Sequence, residues 1–167
     1  MEEIAPPLPT AGEVLVRLHA AAANPFDWYM ADGLLAMYKI TLPATFGRDG
    51  AGVVEAIGDG VTEFQVGDAV YGQADPEDDG TFAQYVVLRA DRLLRKPKAM
   101  SFAEAAALPN AIYAAWSALF SPTKGLDLQP GQTVLIHGAG GGIGSLVLQL
   151  AKWRGARVRW RWRAGHR

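Results

Sequence analysis

The stretch that most limits what this chain can become is GQTVLIHGAGGGIGSLVLQLAKW, residues 131–153. Thr133 to Gly138 is a short apolar, β-branched run with the composition of a buried parallel strand. After Gly144, the residues Leu146, Val147, Leu150 and Ala151 fall on one helical face, predicting a helix over 145–153. Glycine fills the junction. Strand, glycine turn and helix in that order form a site for an anion such as pyrophosphate. The helix N-terminus offers unpaired N–H groups and a positive dipole end, and glycines let the backbone approach without a Cβ in the way. The spacing is G-x-x-G-x-x-G through Gly138, Gly141 and Gly144; in a G-x-G-x-x-G frame ending at Gly144 the first position is Ala139. Tight turns without a ligand use the same residues, so the strand before and the helix after carry the reading.

A chain of 167 residues makes one domain, or one and part of another, and 50% hydrophobic residues supply a real core. No run of 18 apolar residues and no basic-then-apolar leader is present, which predicts a soluble, unexported, cytoplasmic protein without a membrane partner. Zero cysteines remove disulfides and thiol chemistry, and the three histidines, His19, His137 and His166, lack ligand spacing, so no metal site is expected.

Charge is unevenly placed. Residues 1–91 hold 15 acidic and 4 basic side chains, and residues 92–167 hold 2 acidic and 12 basic. Much of the basic excess lies in KWRGARVRWRWRAGHR, where arginines interleave with Trp153, Trp160 and Trp162. Such a segment suits single-stranded nucleic acid through phosphate contact and stacking. The plainer reading is a second strand after the helix. A central parallel strand is apolar on both faces, whereas RVRWRWRA alternates with arginine on one of them, which suits an edge.

Upstream, EVLVRLHAAAANP places Val14, Val16, Leu18 and Ala20 in period two, a half-buried strand ended by Asn24-Pro25. NPFDWYMADG reads as a turn or short helical piece stopped at Gly33. From Leu42 to Gly72 short β-branched runs are broken by glycine turns, the pattern of a compact β-barrel or sandwich. ADPEDDG, 74–80, is an acidic loop, and TFAQYVVLRADRLLRKP adds a strand and a turn. At SFAE, Ser101 and Glu104 form a capping box that opens an alanine-rich helix; Pro109 interrupts it, and a second helix runs from about Asn110 to Phe120. The plan is therefore α+β followed by α/β: residues 1–100 a β-domain, 101–130 linking helices, and 131–167 the start of a nucleotide-binding fold.

These stretches, in this order, resemble the medium-chain dehydrogenase/reductase superfamily, and specifically its zinc-independent, quinone-oxidoreductase-like branch. The resemblance rests on GEVLVRLHAAAANPFDWYMADG, FGRDGAGVVEAIGDGVTEFQVGDAVYG, GTFAQYVVLRADRLLRKP, SFAEAAALP and GQTVLIHGAGGGIGSLVLQLAK, and covers nearly everything from Gly12 to Val158. It implies a GroES-like β-barrel domain packed against a Rossmann domain, with NAD(P)H in the cleft and hydride passing to a quinone, enone or similar electron-poor substrate. Zinc-dependent relatives carry a cysteine in the first stretch and Gly-His-Glu in the second. Here there is no cysteine and the second reads Gly47-Arg48-Asp49, so the resemblance implies no zinc. Reduction then relies on positioning the nicotinamide C4 and on donors that steady a developing oxyanion or enolate.

Family logic places Asn24 and Asp27 near the active-site cleft. Some relatives have a tyrosine just past the position of Gly33; Leu34 and Leu35 stand there, so Tyr38 or Tyr29 would have to serve, with a packed ring as the structural alternative for each. Asp49 either organises the turns around it or pairs with Arg48, and Arg48 either pairs with Asp49 or meets cofactor phosphate. Gly138, Gly141, Gly142, Ile143 and Gly144 map onto the pyrophosphate turn. Ala114 stands where relatives often have threonine, and Asn110 or Tyr113 would compensate as a cofactor contact. The coenzyme choice leans to NADPH with NADH left open.

Relatives of this branch run to about twice this length. The expectation is a partial chain with a truncated Rossmann portion, whose residues from about Arg159 follow a frame disruption or an abnormal gene end. One β-α-β unit cannot cover both faces of its sheet, so apolar surface is expected to lie open unless a homo-oligomer mate or a complementing chain covers it, with weak solubility and poor cofactor affinity as consequences. Two other functions stand beside the oxidoreductase: a non-catalytic GroES-like binding or assembly module, and a basic-tailed nucleic-acid binder.

Overall fold

The computed structural model describes residues 5–33, 37–38 and 40–161. Leu34, Leu35 and the tail beyond Arg161, with Trp162 and His166, lie outside the described residues. The chain divides into two compact units, Met1–Asn110 and Ala111–Arg167.

In the first unit five antiparallel strands form one sheet. They are β1 (Glu13–Ala22), β2 (Asp49–Ile57), β3 (Ala69–Gln73), β4 (Tyr85–Arg89) and β5 (Leu93–Arg95), in the order β4-β1-β2-β3-β5. The outermost strands, β4 and β5, are joined by a single 3-10 turn, Ala90–Arg92. Laid flat, five strands would hold their edges about 19 Å apart, and a turn rising about 2 Å per residue does not bridge that. The sheet therefore curls toward a barrel. Register shifts on β1 at Leu15/Val16 and Leu18/Ala20 supply bends of the kind a curled sheet needs.

The period-two reading of β1 holds for Val14, Val16 and Leu18 and is lost at the register shift before Ala20. Val14 and Val16 are buried in a core with Val54, Val70, Val86, Leu88 and Phe64, with Leu18 packed against it. Ala20 turns instead to a second cluster, where α2 (Phe102–Ala106) lays Ala105 and Ala106 on Ala51 of β2. Helix α2 begins where the capping box places it: Glu104 N–H donates to Ser101 Oγ at 3.2 Å, and Ser101 N–H donates to the Glu104 carboxylate at 2.8 Å. The piece after Asn24 is a true helix, α1 (Pro25–Ala31), with proline in its first turn. The alanine-rich helix ends before Pro109, as expected, and α3 (Pro109–Phe120) takes that proline as its first residue.

In the second unit β6 (Thr133–His137) pairs in parallel with β7 (Arg157–Arg161), and α4 (Gly142–Trp153) connects them. The helix starts three residues before the apolar pattern indicates. Gly142, Ile143 and Gly144 are its first turn, because glycine is a poor helix former and carries no apolar signal. Val147, Leu148, Leu150 and Ala151 cover Val134 and Ile136, Leu148 taking the place expected of Leu146. The uncovered face differs from expectation. Register pairs Thr133 with Arg157, Leu135 with Arg159 and His137 with Arg161, and all six are exposed. Half of the residues on the face left open are thus arginines, with Leu135 its apolar member, because the arginine alternation falls on the side away from α4.

Candidate active site

Two polar centres stand out, one in each unit, built on opposite principles.

In the first, Asp49 at the head of β2 is fully buried. Its Oδ2 accepts from the Asn24 amide at 3.0 Å and from the Asn110 backbone N–H at 3.1 Å; Oδ1 accepts from the Gln73 amide at 3.3 Å. The amides also join one another. Gln73 donates to Asn110 Oδ1 at 3.1 Å, and Asn110 Nδ2 donates to Asn24 Oδ1 at 3.2 Å, closing a ring of four side chains. Thr81 Oγ1 donates to the Asp49 carbonyl at 3.0 Å. Burial pushes the Asp49 carboxyl up from the ordinary aspartate range, and the donors from Asn110, Asn24 and Gln73 work against that rise. Local sequence explains the placement: Asn24 ends the turn before α1, Gln73 ends β3 beside Asp49 in register, and Asn110 lies in the first turn of α3, whose N-terminal N–H a carboxylate satisfies.

Asp27 is 8% exposed and its carboxylate accepts from the Asn24 backbone N–H at 2.7 Å, so it fixes the start of α1 and the residue that enters the ring. Asn24 itself does not cap α1 with its side chain, which is spent on Asp49. Tyr38 meets Phe26 edge to face, 5.7 Å between centroids, while Tyr29 is exposed on α1.

Arg48 does not pair with Asp49. Its Nε donates to the Ala74 carbonyl at 2.9 Å and its guanidinium stacks over the Phe26 ring at 4.9 Å. Burial lowers its pKa, against the pull of Asp75 and Asp49. Arg48 lines a cleft with Phe26, Met30, Ile40, Phe46 and Asp75.

In the second unit Gly138 turns the chain at φ +74°, Gly141 caps α4, and Gly142, Ile143 and Gly144 follow. The first intrahelical bond runs from Ser145 N–H to Gly141 carbonyl, so the preceding N–H groups have no helical acceptor. A Cβ on Gly142 would meet nothing within 4 Å, whereas one on Gly144 would lie 2.2 Å from the Gly138 carbonyl oxygen. One glycine keeps the mouth of the helix open; the other lets helix and turn touch.

Gln73 and Thr81 went unread in the sequence, since neither belongs to a motif and both act through a fold that brings distant residues together. The ring joins Asn24 and Asn110, and Asp27 holds Asn24; Tyr38 belongs to the Phe26 wall, and the glycine residues form their own turn.

A curled antiparallel sheet followed by a parallel β-α-β step with a glycine-capped helix is the order of a GroES-like domain leading into a nucleotide-binding fold. Comparison with known proteins agrees. Residues 10–98 match the alcohol dehydrogenase GroES-like domain. A zinc-type alcohol dehydrogenase-like protein of Schizosaccharomyces pombe is 39% identical over 165 residues, 88% of this chain and 47% of that protein. Mouse quinone oxidoreductase is 33% identical over 156 residues, 93% of this chain and 45% of its own length. The crystal structure of an alcohol dehydrogenase superfamily protein from Novosphingobium aromaticivorans superposes with a TM-score of 0.90 at 39% identity, covering 98% of this chain and 49% of that one. The chain belongs to the alcohol dehydrogenase GroES-like family within the medium-chain dehydrogenase/reductase superfamily, and it spans about half the length of these relatives.

Zinc, which some members of this superfamily use, does not suit the donors present. The chain has no cysteine, no group of three or more His, Cys, Asp or Glu among the described residues is placed to hold a metal, and both Asp49 carboxylate oxygens are already engaged by amides. The turn at α4 leaves first-turn N–H groups without a helical acceptor and open space where a Cβ on Gly142 would stand, features that fit a dinucleotide pyrophosphate. Among the described residues no helix is long and apolar enough to cross a membrane.

Proposed function

We propose that this chain carries the substrate-side domain and the pyrophosphate turn of a zinc-independent, NAD(P)H-dependent reductase of quinones, enones or similar carbonyl compounds, with NADPH the favoured coenzyme. In this reading residues 1–100 are the substrate side, 101–130 the link and 131–167 the start of the dinucleotide-binding domain. The observation that carries it is the first turn of α4, a glycine-capped helix mouth with unsatisfied N–H groups directly after a parallel strand. Bound there, the nicotinamide dinucleotide would supply hydride. Its pyrophosphate would be held by the N–H groups of Gly142, Ile143 and Gly144, with Gly138 and Gly141 giving the backbone room.

On the substrate side Asn24 and Asp27 position rather than react. Asp27 fixes the start of α1, and Asn24 is held by Asp49 and Asn110. Tyr38 packs against Phe26 of the cleft and is the proposed hydroxyl donor to a reducing carbonyl. Asn110 has one amide N–H outside the ring, which is the proposed cofactor contact.

The test is NADPH oxidation across a panel of quinones and enones, run on this chain and on a version extended by downstream coding sequence. Turnover by the extended protein that is lost in Tyr38→Phe supports the reading. Absence of both turnover and saturable NADPH binding in the extended protein contradicts it and favours a non-catalytic binding module.

A further inference from the structure

Arg48 takes no part in the ring around Asp49 or in the α4 turn. It is a half-buried cation that makes no ion pair among the described residues: Asp75, which lines the same cleft, is paired with Arg92 at 2.9 Å, and Asp49 is closed by amides. One of its five N–H donors is spent, Nε on the Ala74 carbonyl. That bond and the Phe26 ring beneath fix the plane of the fork. Arg48 lines a cleft whose apolar members include Met30, Ile40 and Phe46. A cation taken partly out of water without a counter-ion is costly unless an acceptor is supplied. Solvent reaches the free guanidinium nitrogens, so a ligand oxygen would replace water there.

The charge around the cleft selects its chemistry. Asp75 and Asp78 line the same space as Arg48. Burial and the neighbouring Asp75 both raise the pKa of Asp78, so negative charge is already crowded there. A carboxylate or phosphate would meet both aspartates, whereas a neutral carbonyl oxygen takes the guanidinium N–H bonds without that repulsion. A flat conjugated body suits the Phe26 face and the apolar wall.

We propose that Arg48 is the carbonyl-recognition residue of this cleft: its fork donates to the oxygen of a neutral, planar, conjugated ketone or quinone that lies against Phe26. This rests on the reductase reading above and narrows its substrate class. It also assigns Arg48 away from cofactor phosphate.

The experiment is a titration of the full chain with 1,4-naphthoquinone, naphthalene and 2-naphthoate, followed by the Arg48 Nε–H resonance and by the apparent Kd. The absence of cysteine excludes thiol adducts with the quinone. Expected is a shift of the Arg48 Nε–H with naphthoquinone, and binding about tenfold weaker in Arg48→Lys, which keeps charge but loses the planar fork. Arg48→Gln should weaken binding further, while Arg89→Gln, a change at an exposed pair with Asp91, leaves it unaltered. Naphthalene affinity should be the same in all four proteins. Unchanged quinone affinity in folded Arg48→Lys and Arg48→Gln, or no quinone binding at all, overturns the inference. So does tighter binding of naphthoate than of naphthoquinone. Saturable NADPH binding, measured separately, distinguishes the two levels: present with a failed quinone result, it removes Arg48 alone; absent in both this chain and the extended protein, it removes the reductase reading.

Discussion

Around Asp49 hydrogen-bonding capacity is consumed within the protein, whereas at the start of α4 it is left for something else. The carboxylate takes donors from three residues, and those residues bond one another, so the ring is complete without a ligand. The α4 turn offers first-turn N–H groups with no helical acceptor. A closed network fixes geometry at the cost of burying a charge; an open one exposes a surface where an anion gains most. The first is positional, and the second is the one proposed for binding. Arg48 falls between them, anchored at one nitrogen and open at the rest.

The comparison breaks most readily at Gly144. A side chain there would sit 2.2 Å from the Gly138 carbonyl, against backbone that cannot rotate away. Gly144→Val is expected to cost the second unit about 3 kcal/mol and to abolish NADPH binding, read by urea melts and by cofactor fluorescence.

Asp49→Asn attacks the closed ring. It keeps the shape but sets an amide NH2 among converging donors, leaving at least one unsatisfied in a buried site. A loss of about 2 kcal/mol is expected, seen as a lower urea midpoint with an unchanged slope. Charge desolvation relieved by the change offsets part of the loss.

The pH dependence sharpens the same point. The folded Asp49 pKa is raised, so in the window between the ordinary aspartate value and the raised one the folded chain holds more proton than the unfolded chain. Its contribution to stability is greatest below that window, falls as pH rises through it, and is flat above. Asp49→Asn should lack this slope when midpoints are measured from about pH 4 to pH 7.

The smallest stability effect is expected at the open site. Gly142→Ala places a methyl in empty space and gains helix propensity, so stability should rise by about 0.5 kcal/mol. NADPH affinity should nonetheless fall, because the methyl enters the space offered to phosphate.

Local chemistry was legible in the sequence where the signal was local. The Ser101–Glu104 box, the alternation of Val14 and Val16, and the order of strand, glycine and helix at 133–153 need only neighbours within a few residues. The start of α4 was hidden by its own glycines. The ring was hidden by distance: Asp49 reaches Gln73 across 24 positions and Asn110 across 61, and no spacing rule links an aspartate to a glutamine ending another strand. Arg48 was ambiguous for a related reason. Adjacent residues at the head of a strand point to opposite faces, so Asp49 turns inward to the amides while Arg48 reaches the Ala74 carbonyl and the cleft.

The central claim is that the first turn of α4 holds a dinucleotide pyrophosphate. It is tested most directly by titrating NADPH into the 15N-labelled chain and following the amides of Gly142, Ile143 and Gly144. Saturable shifts concentrated on these three, lost in Gly144→Val and weakened in Gly142→Ala, are the predicted result. Shifts absent from this turn while NADPH binds elsewhere on the chain would contradict it.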